Sequence, residues 1–125
     1  MRIITNHIVE GDAPDNQVIV TVLDEPGAGG ANHEYLIATP GDPQGLETGC
    51  SIHFQNGPIK EVGVNGITHE SMLAVLIDRL TSFQAGPFPS PFNAEALHHG
   101  RLMLRALQLR TRERIARGVE GKNIK

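Results

Sequence analysis

Residues 66–118 read GITHESMLAVLIDRLTSFQAGPFPSPFNAEALHHGRLMLRALQLRTRERIARG, and the two helical patterns inside this stretch decide the fold. Thr68 is placed as an N-cap, with Glu70 in the first turn complementing the helix dipole. From there Leu73, Leu76, Ile77, Leu80 and Phe83 recur at helical spacing and predict one apolar face over about 16 residues. Gly86 followed by Pro87 stops the pattern. A second pattern starts at Ser90, an N-cap with Pro91 at the first helical position. Its inward stripe is Leu97, Leu104 and Leu107, supported by Ala94 and Thr111, and Gly118 ends it. At about 27 residues it spans roughly 40 Å, so its arginine-rich end should overhang the shorter arm. The connector, with Gly86, Pro87, Pro89, Ser90 and Pro91, turns the pair into a helical hairpin.

Upstream the period changes from helical to alternating. Segments 2–9, 17–24, 33–39 and 51–56 read as short strands, separated by loops rich in Gly, Pro, Asp and Asn. The clearest is QVIVTVLD at 17–24, where Val18, Val20 and Val22 share one face and Ile19 and Thr21 take the other. No crossover helix separates the strands, so the sheet should be antiparallel, a meander of three to four strands. Gly27, Ala28, Gly29 and Gly30 precede a strand rather than a helix and lack the Lys-Ser/Thr of a Walker loop, so they read as a hairpin loop. The expected fold class is α+β: a small N-terminal antiparallel sheet followed by a two-helix antiparallel hairpin. It forms one domain over 1–125, with the sheet in 1–57, the hairpin in 66–118 and a tail in 119–125.

Charge is divided unevenly along the chain. The net charge is −3, yet residues 1–65 hold nine acidic and two basic side chains while 66–125 hold five acidic and nine basic. That split predicts a basic site on one part of the molecule and disfavours a protein that coats nucleic acid. The single cysteine, Cys50, excludes an internal disulfide and a thiolate zinc cluster. Six scattered histidines, with only His98 and His99 adjacent, supply no metal-ligand spacing, because neighbours on a helix diverge by about 100°. No apolar run approaches membrane-spanning length and no leader pattern opens the chain, so a soluble protein is expected.

Two groups of residues carry candidate chemistry. Arg101, Arg105 and Arg112 form one helical row and Arg110, Arg114 and Arg117 another, with no lysine among them. Such rows read either as a solvated face at a helix C-terminus or as guanidinium forks for phosphate. Phe83 at the end of the first helix and Asn93 in the first turn of the second read either as core and capping residues or as a stacking ring and a base-reading amide. No activated-nucleophile motif appears, so catalysis is not the default.

The segments FQNGPIKEVGVNGITHE (54–70), IDRLTSFQAGPF (77–88) and RTRERIARGVEG (110–121) resemble small bacteriophage proteins of the Thoeris anti-defence sponge family. These share a helical hairpin with the anti-CBASS cyclic-nucleotide sponges. The resemblance runs over residues 18–121 and is most specific in the hairpin and its trailing RGVEG. The sheet-then-helices order matches the Thoeris branch, since the anti-CBASS branch is essentially all-helical. What the resemblance implies is a homo-oligomeric, dimeric or hexameric, non-enzymatic binder acting in the host bacterial cytoplasm, without cofactor, catalytic residue, metal or membrane partner. It would sequester a cyclic nucleotide immune signal, glycocyclic ADP-ribose above all and in some relatives cyclic di- or trinucleotides. The pocket would form between protomers, with the family's ligand-binding phenylalanine, asparagine and arginine falling on Phe83, Asn93 and Arg110. The competing expectations are a hydrolase of the same signals and a nucleic-acid-binding or structural phage protein.

Overall fold

The computed structural model describes residues 1–122; the last three residues of the expected tail, 123–125, lie outside the described residues. The described chain divides into two compact units, one ending at Gly66 and the other beginning at Ile67. The first holds strands β1 (Arg2–Ile4), β2 (Ile19–Val22), β3 (Glu34–Ala38) and β4 (Cys50–His53) and a one-turn helix α1 (Ile59–Val62). The second holds α2 (His69–Ala85) and α3 (Pro91–Ala116).

The strands form one antiparallel sheet in the order β1-β2-β3-β4, which is the expected meander at its four-stranded limit. Register pairs Val22 with Arg2 and Tyr35, Val20 with Ile4 and Ile37, and Tyr35 with Ile52. Partners across a sheet share a face, so Ile4, Val20, Val22, Tyr35, Ile37 and Ile52 make one apolar layer. Val22 is the most enclosed of them, and the Phe54 ring meets Tyr35 edge-on at 5.8 Å. On the other face Ala38 is buried, and Leu36 lies against Gly45 in the loop between β3 and β4.

Every strand is shorter than its sequence pattern. The 2–9 pattern gives only Arg2–Ile4, because the turn at Thr5–Ile8, closed by an Ile8 N–H bond to the Thr5 carbonyl, takes the chain out of pairing. Alternation in the sequence marks residues able to pair, whereas a strand ends where a partner does.

Side chains hold the loops between strands. The Asp24 carboxylate accepts from the backbone N–H of His33 at 3.0 Å and Glu34 at 3.2 Å, tying the start of β3 to the end of β2. Desolvation pushes its pKa up, but these bonds outweigh it and hold the pKa below the ordinary carboxylate value. The glycine-rich stretch between β2 and β3 contains a 3-10 turn at Ala28–Gly30. It is pinned by a bond from His33 Nε2 to the Ala28 carbonyl (3.0 Å) and by Asn56 Oδ1, which accepts from the Ala28 N–H (3.2 Å). Asp42 does the same for the loop over Leu36: its carboxylate accepts from the N–H groups of Thr48, Glu47 and Leu46 at 2.8 to 3.0 Å. Those bonds, from Thr48 and Glu47 first, lower its pKa to about 2.

The FQNG…GVNG segment is a polar clasp. Asn65 accepts from the Asn56 N–H (2.8 Å) and donates to the Asn56 carbonyl (2.7 Å). Gln55 accepts from the Asn65 N–H (2.9 Å) and donates to the carbonyls of Gly57 and Gly63. Gly66 closes the clasp against the Phe54 backbone, where a Cβ would overlap main-chain atoms. The connection that this segment brackets contains α1, a helix that the sequence pattern did not predict.

Candidate functional site at the hairpin tip

Both hairpin helices start where their capping residues place them. Thr68 Oγ1 accepts from the Ser71 N–H at 3.1 Å, and Ser71 Oγ accepts in return from the Thr68 N–H, a reciprocal capping box. Ser90 Oγ accepts from the N–H groups of Phe92 and Asn93, with Pro91 opening α3. The Gln84 side chain accepts from the Ser90 N–H at 2.9 Å, which ties the end of α2 to the start of α3. A Cβ on Gly100 would sit 3.6 Å from Ile77 Cγ1. Ile77 lies about as far before the connector as Gly100 lies after it, so the helices run antiparallel.

The seam is buried at alternating spacings of four and three. On α2 the less exposed residues are Glu70, Leu73, Ile77, Leu80 and Gln84, with Met72 beside Leu73, and on α3 they are Asn93, Leu97, Gly100, Leu104, Leu107, Thr111 and Arg114. Leu73, Ile77, Leu80, Leu97, Leu104, Leu107 and Thr111 therefore fall where the sequence put them. Leu76 and Phe83 do not: they are 49% and 41% exposed, because the helical period rotates them past the seam. Ala94 is exposed as well.

Phe83 instead walls a groove of about 530 Å³ at the tip of the hairpin, formed by Val75, Asp78, Arg79, Ser82 and Phe83 of α2 and by Gly86, Pro87 and Phe88 of the connector. This volume lies within the range of small-molecule sites. The Arg79 guanidinium stands over the Phe83 ring, 5.1 Å from its centroid, a cation–π pair set up by i,i+4 spacing on one helix. The groove thus combines an aromatic face, a guanidinium, a carboxylate and a hydroxyl. That set suits a stacked heterocycle carrying hydroxyls and an anionic group. Arg79, Asp78 and Phe88 were missed as site residues by the sequence reading. The available signal was Arg79 four residues before Phe83.

The three residues expected to bind ligand are not gathered by a single chain. Phe83 and Asn93 both flank the connector, although Asn93 is half-buried on the seam and does not line the groove. Arg110 is exposed on α3, seventeen residues beyond Asn93, which is about 26 Å along a helix axis. The second arginine row also changes meaning. Arg114 is buried: Nε donates to Glu120 Oε2 at 3.0 Å, and Nη2 donates to the carbonyls of Val119 (3.0 Å) and Lys122 (2.9 Å). Arg117 pairs with Glu113 at 3.3 Å. Arg114 is thus a clasp for the RGVEG segment. The α3 C-terminus closes there with Gly118 at φ +73°, its N–H bonded to the Ile115 carbonyl and the Val119 N–H to that of Arg114, a Schellman arrangement. Arg101, Arg105, Arg110 and Arg112 remain exposed.

Among the described residues no group of three or more His, Cys, Asp or Glu is placed to hold a metal ion, and no helix is long and apolar enough to cross a membrane.

An antiparallel sheet followed by a two-helix hairpin, with an aromatic–guanidinium groove at the hairpin tip, defines a small α+β hairpin-domain protein. The model described as "Acb2/Tad1, hairpin domain" matches residues 47–110, half of the chain, and the chain belongs to that family. The matched segment runs from just before β4 to Arg110, narrower than the 18–121 stretch of the resemblance, and leaves RGVEG outside it. A relative named "Thoeris anti-defense 1", from Bacillus phage SBSphiJ7, is 42% identical over 72 residues, covering 58% of this chain and 51% of its own length. The chain thus aligns with about half the length of that relative.

Proposed function

We propose that this protein is a phage anti-defence sponge that binds a cyclic nucleotide immune signal, glycocyclic ADP-ribose in the first instance, and holds it intact inside the infected bacterial cell. The observation that carries the reading is the groove in which Arg79 stands over Phe83, on a hairpin of this family. Adenine on Phe83 would contribute about 1–3 kcal/mol. A sponge that outcompetes a host receptor needs nanomolar binding, about −12 kcal/mol. One open groove is a weak basis for that figure. The separation of Arg110 from Phe83 supports a pocket completed by a second copy of the chain, with Phe83 and Asn93 from one protomer and Arg110 from its partner. The exposed α2 and α3 side chains Val75, Leu76, Leu102, Met103 and Leu109 give such copies apolar surface to cover.

The test is retention. The purified chain is incubated with glycocyclic ADP-ribose, separated from free ligand and heat-denatured, and the supernatant is weighed by mass spectrometry. Intact ligand supports sequestration; a product of different mass makes the protein a hydrolase; no ligand refutes the reading. Phe83→Ala should weaken retention with little change in melting temperature, since Phe83 is 41% exposed. A variant that instead unfolds returns Phe83 to the core.

A further inference from the structure

We infer that Arg79 is the residue through which the hairpin tip grips the anionic part of its ligand, and that its guanidinium and the Phe83 ring act as one recognition unit. The inference rests on the sponge reading above and adds a phosphate-positioning residue to it. Within one hairpin, the cation beside the stacking ring is Arg79 and not Arg110. The guanidinium lies 5.1 Å from the Phe83 centroid, whereas Arg110 is about 26 Å along α3 from Asn93. Among the described residues no carboxylate pairs with Arg79, and no carbonyl or side chain accepts from its N–H groups. Its fork therefore lies in the groove with its donors open to a ligand, held in place by the ring beneath it. Asp78, on the same groove, supplies the opposite sign. A carboxylate there accepts from ribose hydroxyls or an exocyclic amine and repels a phosphate, which steers the phosphate towards Arg79. A nucleotide has this layout, with a flat base, a hydroxylated sugar and an anion one sugar away. Guanidinium is suited to the anion because its donors match phosphate oxygens in pairs.

The experiment titrates glycocyclic ADP-ribose into full-length wild type, Arg79→Met, Arg79→Lys and Phe83→Ala at several salt concentrations. Met and Lys are both strong helix formers, so α2 is kept, and circular dichroism checks it. Loss of one charge-assisted contact predicts that Arg79→Met binds about tenfold or more weakly and that its affinity responds less to salt. Arg79→Lys should keep the wild-type salt response and lie between the two in affinity. If Arg79→Met binds like wild type while Phe83→Ala does not, the inference fails and the sponge reading stands. Equal losses in Met and Lys, with an unchanged salt response, would reduce Arg79 to a prop for the ring and also overturn it. A wild type that binds nothing removes the sponge reading and this inference together.

Discussion

The clasp around Arg114 gives the most direct energetic test of the structure. Arg114→Met keeps most of the apolar stem and removes the guanidinium. The donated bonds lost include those to Glu120, Val119 and Lys122, at 2.9 to 3.0 Å. Hydrogen bonds from a charged group contribute about 1.5–3 kcal/mol each, but an acceptor that regains water recovers much of that. Lys122 is exposed and the Glu120 side chain is 35% exposed, so both find solvent once released. Breaking a fully buried pair costs about 3–5 kcal/mol; with that exposure the expected loss is about 2–3 kcal/mol. Arg114→Ala, which also removes stem packing, should lose about one more. Glu120→Gln leaves an oxygen to accept and should cost about 1 kcal/mol. Urea unfolding followed by far-ultraviolet circular dichroism measures each difference. Hydrogen exchange at the Val119 amide, bonded to the Arg114 carbonyl, reports whether the segment is released. A loss below about 1 kcal/mol for Arg114→Met, the range of an exposed ion pair, would show that the segment is not clasped.

Two further outcomes follow from single residues. Because the folded-state pKa of Asp42 is lowered to about 2, its contribution is present above the ordinary carboxylate pKa of about 3.9 and is lost as pH falls through about 2. Urea midpoints of wild type and Asp42→Asn should therefore converge as pH is lowered from about 4 towards 2, and a constant gap would contradict the loop-tying role. Gly100→Ala should stabilise the hairpin by about 0.5–1 kcal/mol, the cost of glycine inside a helix, because the new Cβ meets Ile77 at ordinary contact distance. A lower melting temperature would mean that the helices approach more closely there.

What the sequence disclosed and what it hid divide along one physical line. Thr68, Ser90 and Pro91 act within a few residues of themselves, so the helix starts were legible from residue chemistry. The order of the strands was legible because turn residues separate them, while their lengths depend on pairing that no single segment encodes. Helical spacing from Leu76 and Leu80 puts Phe83 on the expected apolar face, yet the seam passes through Gln84 instead and Phe83 is rotated outward. Arg114 was hidden for the opposite reason. A charged residue in a basic row reads as solvated, although its spacing from Leu104, Leu107 and Thr111 continues the buried stripe. At the site, Phe83 came from the family resemblance and from its place at a helix end. Its partner Arg79 is a lone arginine on α2, with no row of like residues to mark it beside the longer arginine rows of α3.

The thin seam of the hairpin has a thermodynamic consequence. Leu73 and Leu97 are its buried apolar side chains, while Val75, Met103 and Ile115 stand 53 to 67% exposed. In an assembly of copies that covers such side chains, the folded state is coupled to self-association by mass action. Each tenfold dilution of a dimer then removes about 1.4 kcal/mol of apparent stability. A chain that self-associates as proposed would be sturdiest where it accumulates to high copy number, late in its own expression, and weakest when the first few molecules are made.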